Sequence, residues 1–401
     1  MGKNNDNYPL NKQVLPKQYS NFLYGLRGLA ALFVLVSHIW YQIWPADAEP
    51  LGYYERPTGL ILFLTSWLYY GHFAVVIFIL LSGFCLMLPV IQGDGTLPGG
   101  TVEFLKKRSH RILPPYYFAL LFSLFLIDIF IGTKTGSQWD ISIPVTRLGV
   151  IADLLMLQDF IAPVQVNYVF WSLAVIWQLY LCFPLIILSW QRLGSLGTTI
   201  AVGFLSYTII LLLEAAHVED VPPQYIGLFF DFTLGVLAAT LVFSQDSLWI
   251  KIREYFPSQI IAVICGLLII GLCYLWGFDK VEQNLAFLDN LCAFATLSIL
   301  VAGASLKPNF IKDILCFKPL VFAGTFSYSL YLIHAPLLQL IWQYFLHPLG
   351  LDKASEFFGL LVIAPPLIIG FSLIFFRFFE RPFLNRRSRS VNNDKRNSYE
   401  T

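Results

Sequence analysis

Long apolar runs alternate with shorter polar segments along the whole chain. A helix needs about 20 residues, at about 1.5 Å each, to cross roughly 30 Å of hydrocarbon, and the runs reach about that length. Lipid offers no partner to backbone N–H and C=O groups, so runs of this kind are helical. The pattern therefore predicts an all-α protein, a polytopic membrane helical bundle of about ten transmembrane helices. The predicted spans lie near residues 23–44, 70–91, 113–132, 169–190, 197–215, 225–243, 258–278, 285–305, 319–346 and 357–379.

The distribution of Lys and Arg predicts how these helices are oriented. Most of the 26 Lys and Arg residues fall in the N-terminal segment, in alternate loops and in the C-terminal tail, and cytoplasmic segments carry such an excess. We therefore expect both the N-terminus and the C-terminus in the cytoplasm. The expected organisation is a cytoplasmic segment at 1–22, a membrane domain at 23–380 and a basic, disordered cytoplasmic tail at 381–401.

Composition excludes a water-soluble domain. The chain is 57% hydrophobic and only 13% charged, whereas a soluble domain carries about 25% charged residues. The chain has too few charged residues to cover its surface in water, so much of that surface must face lipid. The six cysteines lie in or beside apolar runs, without the paired spacing of a disulfide framework or a zinc site. We therefore interpret them as small apolar residues and expect no metal.

Two ionisable residues interrupt the first predicted span. Arg27 and His38 are eleven positions apart, which on a helix is three turns plus roughly 20° and an axial distance of about 16 Å, so they share one face. A charged residue inside a span marks a functional site or a buried pair. Gly28 and Ala31, between them, are small enough for a neighbouring helix or an elongated ligand to approach closely. In the alternative, Arg27 extends to the inner boundary and His38 is a packed, hydrogen-bonded residue.

Two histidines are candidates for proton transfer. His38 is suited to removing a proton from a hydroxyl at neutral pH, because the unperturbed pKa of histidine is about 6.5. His334 is a second candidate in the ninth predicted span, where Tyr328 and Tyr331 precede it and could hydrogen-bond within a polar cavity. A purely structural role for His334 is the alternative.

A basic cluster precedes the third predicted span. Arg108 and Arg111 are three positions apart and would share a helix face. Guanidinium groups bind phosphate through two parallel hydrogen bonds, so this pair would suit the phosphates of a nucleotide-like donor. The general excess of basic residues in cytoplasmic segments also accounts for the cluster, and the sequence leaves both interpretations open.

Six short elements in order make most of the chain resemble the acyltransferase 3 family of integral-membrane O-acyltransferases. They are Arg27-Gly28 through His38, Ser82-Gly83-Phe84, Arg108 through Pro114, Trp171-Ser172-Leu173 through Tyr180, Ser327-Tyr328 through His334, and Glu380-Arg381-Pro382-Phe383. Each element alone is weak, and their order at matching positions makes the resemblance specific. It implies an enzyme that moves an acyl group, expected to be acetyl, from cytoplasmic acyl-CoA to a hydroxyl of a glycan, a lipid-linked saccharide or another cell-envelope acceptor.

The resemblance also implies roles for individual residues. His38 is expected to be the catalytic base, with acyl-CoA bound by Arg27, Arg108 and Arg111. The residues expected to line the substrate cavity are Ser82, Trp171, Gln178, Tyr180, Tyr328, Tyr331 and His334. Ile176 stands where the family usually carries an acidic residue, and we expect altered specificity or weaker activity if that carboxylate orients the acceptor or the histidine. The expected location is the cell membrane, specifically a bacterial inner membrane, and no nucleic-acid partner is expected.

Two other functions fit the same residues. A transporter or exporter of a polar solute or glycan would line its path with Arg27, His38 and His334 without making or breaking bonds, although no internal repeat of the kind found in many transporters is visible. A structural membrane scaffold would need neither histidine. Release of free CoA from acetyl-CoA would distinguish the enzyme from both.

Overall fold

The computed structural model describes residues 17–45, 56–161, 165–218, 223–305 and 309–384. Every regular element in these ranges is a helix and no β-strand occurs there, which confirms the all-α prediction. Residues 1–16 of the predicted N-terminal segment and 385–401 of the predicted tail lie outside the described residues. The α-helices are α1 (Lys17–Ile43), α2 (Gly59–Thr65), α3 (His72–Gln92), α4 (Gly100–Leu126), α5 (Arg147–Leu155), α6 (Gln158–Ile161), α7 (Trp171–Ala215), α8 (Pro223–Phe243), α9 (Ser247–Tyr255), α10 (Ser258–Gln283), α11 (Leu285–Ala304), α12 (Phe310–Leu315), α13 (Lys318–Thr325), α14 (Ser327–Ile341) and α15 (Lys353–Phe375).

The long helices agree with a polytopic membrane bundle. Among the described residues, eight helices are long and apolar enough to cross a membrane, and a ninth span follows if the bent pair α13 and α14 is taken as one. α7 has 45 residues and would be about 67 Å long if straight, which is about twice the hydrocarbon thickness. Gly194 breaks α7 with a φ of 71°, a conformation that favours glycine. Counted as two arms, α7 supplies both the fourth and the fifth predicted span.

Two predicted spans differ from the observed helices. The third was expected from residue 113, but α4 begins at Gly100 and contains the whole basic cluster, because hydropathy reports where lipid begins and a helix can continue into water. The ninth was expected as one helix, but α13 and α14 meet at a bend of 77°. The new N-terminus of α14 is stabilised by Glu380, whose Oε2 accepts a hydrogen bond from the Ser329 backbone N–H at 3.1 Å.

The chain forms two compact units. The first takes its residues from Met1–Val34, Tyr70–Thr101 and Ser172–Ser327. In this unit α8 packs against α3, and α11 packs against both. Gly83 of α3 allows the close approach of α8, because a Cβ at this position would collide with the carbonyl oxygen of Phe232. Gly28 of α1 meets the carbonyl oxygen of Leu320 in α13 in the same way, so this small residue accommodates a neighbouring helix.

The second unit takes its residues from Leu35–Tyr69, Val102–Trp171 and Tyr328–Thr401. Large aromatic side chains form much of its core, including the fully buried Trp40 of α1 and Tyr116 of α4. The Tyr116 hydroxyl donates a hydrogen bond of 2.8 Å to the carbonyl oxygen of Asp153, which joins α4 to α5. The ring of Trp44 packs on Phe357 of α15 with centroids 5.2 Å apart. This unit holds both candidate histidines.

Candidate functional site

Three aromatic rings surround His38 in the second unit. Its imidazole lies 4.8 Å from that of His334, centroid to centroid, with the rings at 70°. The ring of Tyr168 lies 5.5 Å from His38 and the ring of Tyr41 5.8 Å from it. The structure thus brings together two histidines that the sequence places on its first and ninth predicted spans.

His334 is oriented by its own helix. It is buried, at 1% exposure, and its Nδ1 lies 2.8 Å from the carbonyl oxygen of Tyr331. A carbonyl only accepts hydrogen bonds, so Nδ1 carries the proton and Nε2 keeps a lone pair. Nε2 is buried and has no hydrogen-bond partner among the described residues. The Tyr331 hydroxyl donates to the carbonyl oxygen of Val169 at 3.0 Å, which fixes this turn of α14.

Tyr168 supplies a hydroxyl beside the histidine pair. Burial raises the pKa of Tyr168 well above its ordinary value, so the hydroxyl stays protonated. Its oxygen is buried without a hydrogen-bond partner among the described residues. The ring packs against Trp139 with centroids 6.0 Å apart, and the backbone N–H donates to the Ser142 hydroxyl at 3.0 Å. Sequence analysis missed Tyr168, because it precedes an apolar run and belongs to no recognised element.

Gln339 joins α1, α14 and the loop between α4 and α5. Its Oε1 accepts hydrogen bonds from Gln42 Nε2 at 2.6 Å and from the Ser137 hydroxyl at 2.8 Å. Its Nε2 donates to the Thr135 hydroxyl at 3.1 Å and to Gln343 Oε1 at 2.9 Å. Gln42 lies one turn after His38 on α1, so this network holds the backbone next to the histidine pair. Sequence analysis also missed Gln339, although its position within an apolar run was a usable signal.

Four of the predicted site residues belong to the first unit: Arg27, Ser82, Gln178 and Tyr180. Arg27 Nη2 lies 3.8 Å from the sulfur of Cys85, while the Ser82 hydroxyl donates to the Phe78 carbonyl of its own helix at 2.9 Å. Gln178 Nε2 is buried without a hydrogen-bond partner among the described residues. Tyr180 is buried.

The other predicted residues lie in the second unit. Arg108 and Arg111 both lie within α4, three positions apart as expected, and the Arg108 guanidinium lies 5.7 Å from the centroid of the Phe104 ring. The Tyr328 hydroxyl donates to the Ile112 carbonyl at 3.0 Å, so it ties α14 to α4. Trp171 is the first residue of α7 and is half-buried.

Glu380 connects two of the elements on which the family resemblance rests. Its carboxylate is buried at 6% exposure and accepts hydrogen bonds from both the backbone N–H and the hydroxyl of Ser329. A carboxylate at a helix N-terminus interacts favourably with the helix dipole. Sequence analysis recognised both elements and missed their contact, because the partners are far apart in the chain.

The fold and the site define a polytopic membrane protein in which a half-buried histidine, His38, contacts a buried one, His334. The chain belongs to the acyltransferase 3 family, because the family model, which describes an acyltransferase domain, matches residues 20–377. It is 24% identical over 384 residues to the peptidoglycan O-acetyltransferase OatA of Listeria monocytogenes, covering 91% of this chain and 56% of that protein. It is 24% identical over 352 residues to the O-acetyltransferase OatA of Staphylococcus aureus, covering 82% of this chain and 53% of that protein. The chain thus spans about half the length of these relatives, and no solved structure matches it.

Proposed function

We propose that the chain is a membrane O-acyltransferase that moves an acyl group, expected to be acetyl, from acyl-CoA to a hydroxyl of a glycan or another cell-envelope acceptor. The observation that carries this proposal is the contact between half-buried His38 and buried His334, with ring centroids 4.8 Å apart. Family membership and the names of the two relatives, one of which includes peptidoglycan, support the reaction class. The proposed location is a bacterial inner membrane.

In the proposed reaction His38 acts as general base. It takes the proton of the acceptor hydroxyl as that oxygen attacks the thioester carbonyl. The new C–O bond forms and the C–S bond breaks, after which the proton from His38 passes to the departing CoA thiolate. His334 is the proposed positioning residue, because its Nδ1 is committed to the Tyr331 carbonyl and its ring packs against His38. The protonated hydroxyl of Tyr168 is the proposed hydrogen-bond donor to the thioester oxygen as negative charge develops there.

The proposed donor site uses the guanidinium groups of α4. Arg108 and Arg111 would hold the phosphates of acyl-CoA at the cytoplasmic side.

The decisive experiment measures both products of the reaction in purified protein. We expect His38→Ala to abolish release of free CoA and acylation of a glycan acceptor from acetyl-CoA, while the protein still accumulates in the membrane. The matched control is His217→Ala, because His217 is an exposed histidine in the first unit and should leave both products unchanged. Undiminished acylation in His38→Ala would exclude His38 as the base, and solute flux without CoA release would support a transporter instead.

A further inference from the structure

A groove runs along one face of α4 in the second unit. The α4 residues that line it recur at three- and four-residue spacing from Lys106 to Leu121, which is the spacing of a single helical stripe. Phe383 closes one side, with its ring 5.4 Å from that of His110. The groove has a volume of about 710 Å³ and extends over about 22 Å of helix.

The groove is polar at one end and apolar along the rest. Lys106, Ser109 and His110 form the polar end, where α4 has not yet entered the apolar part of its sequence. Beyond them the wall is apolar, and Phe118 and Leu121 are 39% and 61% exposed in a helix long and apolar enough to cross a membrane. This part of the groove is therefore open to lipid acyl chains.

The charge of the polar end favours an anion. Among the nine described residues that line the groove, none is acidic. Lys106 is exposed and its ammonium group can extend toward the membrane surface. The neighbouring Lys107 differs, because it is not among the lining residues and its Nζ lies 3.3 Å from Glu103 Oε1. The two adjacent lysines therefore allow a matched comparison.

We propose that this groove binds an anionic glycerophospholipid. Its phosphate would lie against the Lys106 ammonium and the His110 imidazole, because basic residues at this depth attract anionic headgroups. The Ser109 hydroxyl donates to the Leu105 carbonyl of its own helix at 2.8 Å. One acyl chain would follow the apolar wall past Phe118 and Leu121. The order of polar and apolar groups along α4 matches the order of headgroup and chain in a lipid that sits in one leaflet.

The test is native mass spectrometry of the purified full-length protein, titrated with phosphatidylglycerol and with phosphatidylcholine of identical acyl chains. We expect stronger retention of phosphatidylglycerol. Removing the groove charge with Lys106→Gln should weaken it about five-fold while phosphatidylcholine retention stays unchanged. Lys107→Gln should change neither, and Lys106→Arg should restore phosphatidylglycerol binding because it keeps the charge.

Four outcomes would overturn the proposal. Equal retention of the two lipids would show that the polar end does not select an anion. Equal losses in Lys106→Gln and Lys107→Gln would show that the net charge of the helix matters and the groove does not. Adducts of added CoA that compete with the lipid, or a dimer that forms in its place, would assign the groove to one of those occupants.

Discussion

Gln339 offers a prediction whose magnitude follows from the structure. The side chain is fully buried and takes part in four hydrogen bonds, to Gln42, Ser137, Thr135 and Gln343. Side-chain hydrogen bonds in membrane proteins contribute on average about 0.6 kcal/mol each, so Gln339→Leu, which keeps the volume and removes all four, should lower the free energy of unfolding by about 2–3 kcal/mol. Gln343→Leu removes one of these bonds and a second bond, from Gln343 Nε2 to the Phe130 carbonyl, and should lower the free energy of unfolding by about 1.2 kcal/mol.

The assay is reversible unfolding in mixed detergent micelles, followed by the loss of helical circular dichroism. A double-mutant cycle with Gln42→Ala and Gln339→Ala should give a coupling energy of about 0.6 to 1.7 kcal/mol, because the direct bond between the two amides is removed in both single variants. Equal stabilities of Gln339→Leu and Gln343→Leu, or a coupling energy near zero, would refute the claim that the network holds α1 to α14.

Three further predictions concern packing, pH and the proposed donor site. Gly28→Ala should lower the free energy of unfolding by about 1–3 kcal/mol, because its Cβ would collide with the carbonyl oxygen of Leu320. The control Gly271→Ala should not destabilise the protein, since nothing lies within 4 Å of a Cβ there. Equal stabilities of the two variants would contradict the contact at Gly28. Burial raises the pKa of Asp153 and of Asp159 to about 7, whereas an Asp in the unfolded chain has a pKa of about 3.9. The folded protein therefore binds more protons than the unfolded chain between these values, so its free energy of unfolding should fall as pH rises from about 4 to 7. Thermal denaturation across this window should show a shallower decline for Asp153→Asn, and an unchanged slope would reject the assignment. Arg108→Ala and Arg111→Ala should raise the KM for acetyl-CoA, with Lys107→Ala as control, and unaltered donor dependence in steady-state kinetics would remove both arginines from the donor site.

The spans were predictable because lipid imposes a local rule. Every segment that crosses hydrocarbon must be apolar and helical, and this rule leaves a signal in each segment independently of the others. Helix ends were less predictable. A helix end depends on the hydrogen bonds that its last polar turn can form with other segments. The N-terminus of α14, after the bend at Phe326, is an example, because its backbone donates to Glu380.

The candidate site was predictable only in part. His38 and His334 stood out because ionisable residues are rare inside spans, yet no local pattern indicated that their rings would lie in contact. Tyr168 and Gln339 were missed, because a tyrosine at a membrane boundary and a glutamine near the end of a span are each compatible with many roles. Arg27, Ser82, Gln178 and Tyr180 belong to the first unit, a division that the spacing of motifs does not reveal.

Apolar patterning in the sequence was sufficient to predict a helical membrane bundle and the approximate positions of most spans, and it marked the ionisable residues within them. Which of those residues lie in contact depends on the packing of the helices. Span formation depends on the transfer of about 20 neighbouring residues into lipid, so it is set locally. The pairing of His38 with His334, the Gln339 network and the capping of α14 by Glu380 depend on contacts between distant segments, and these are set by how the helices pack.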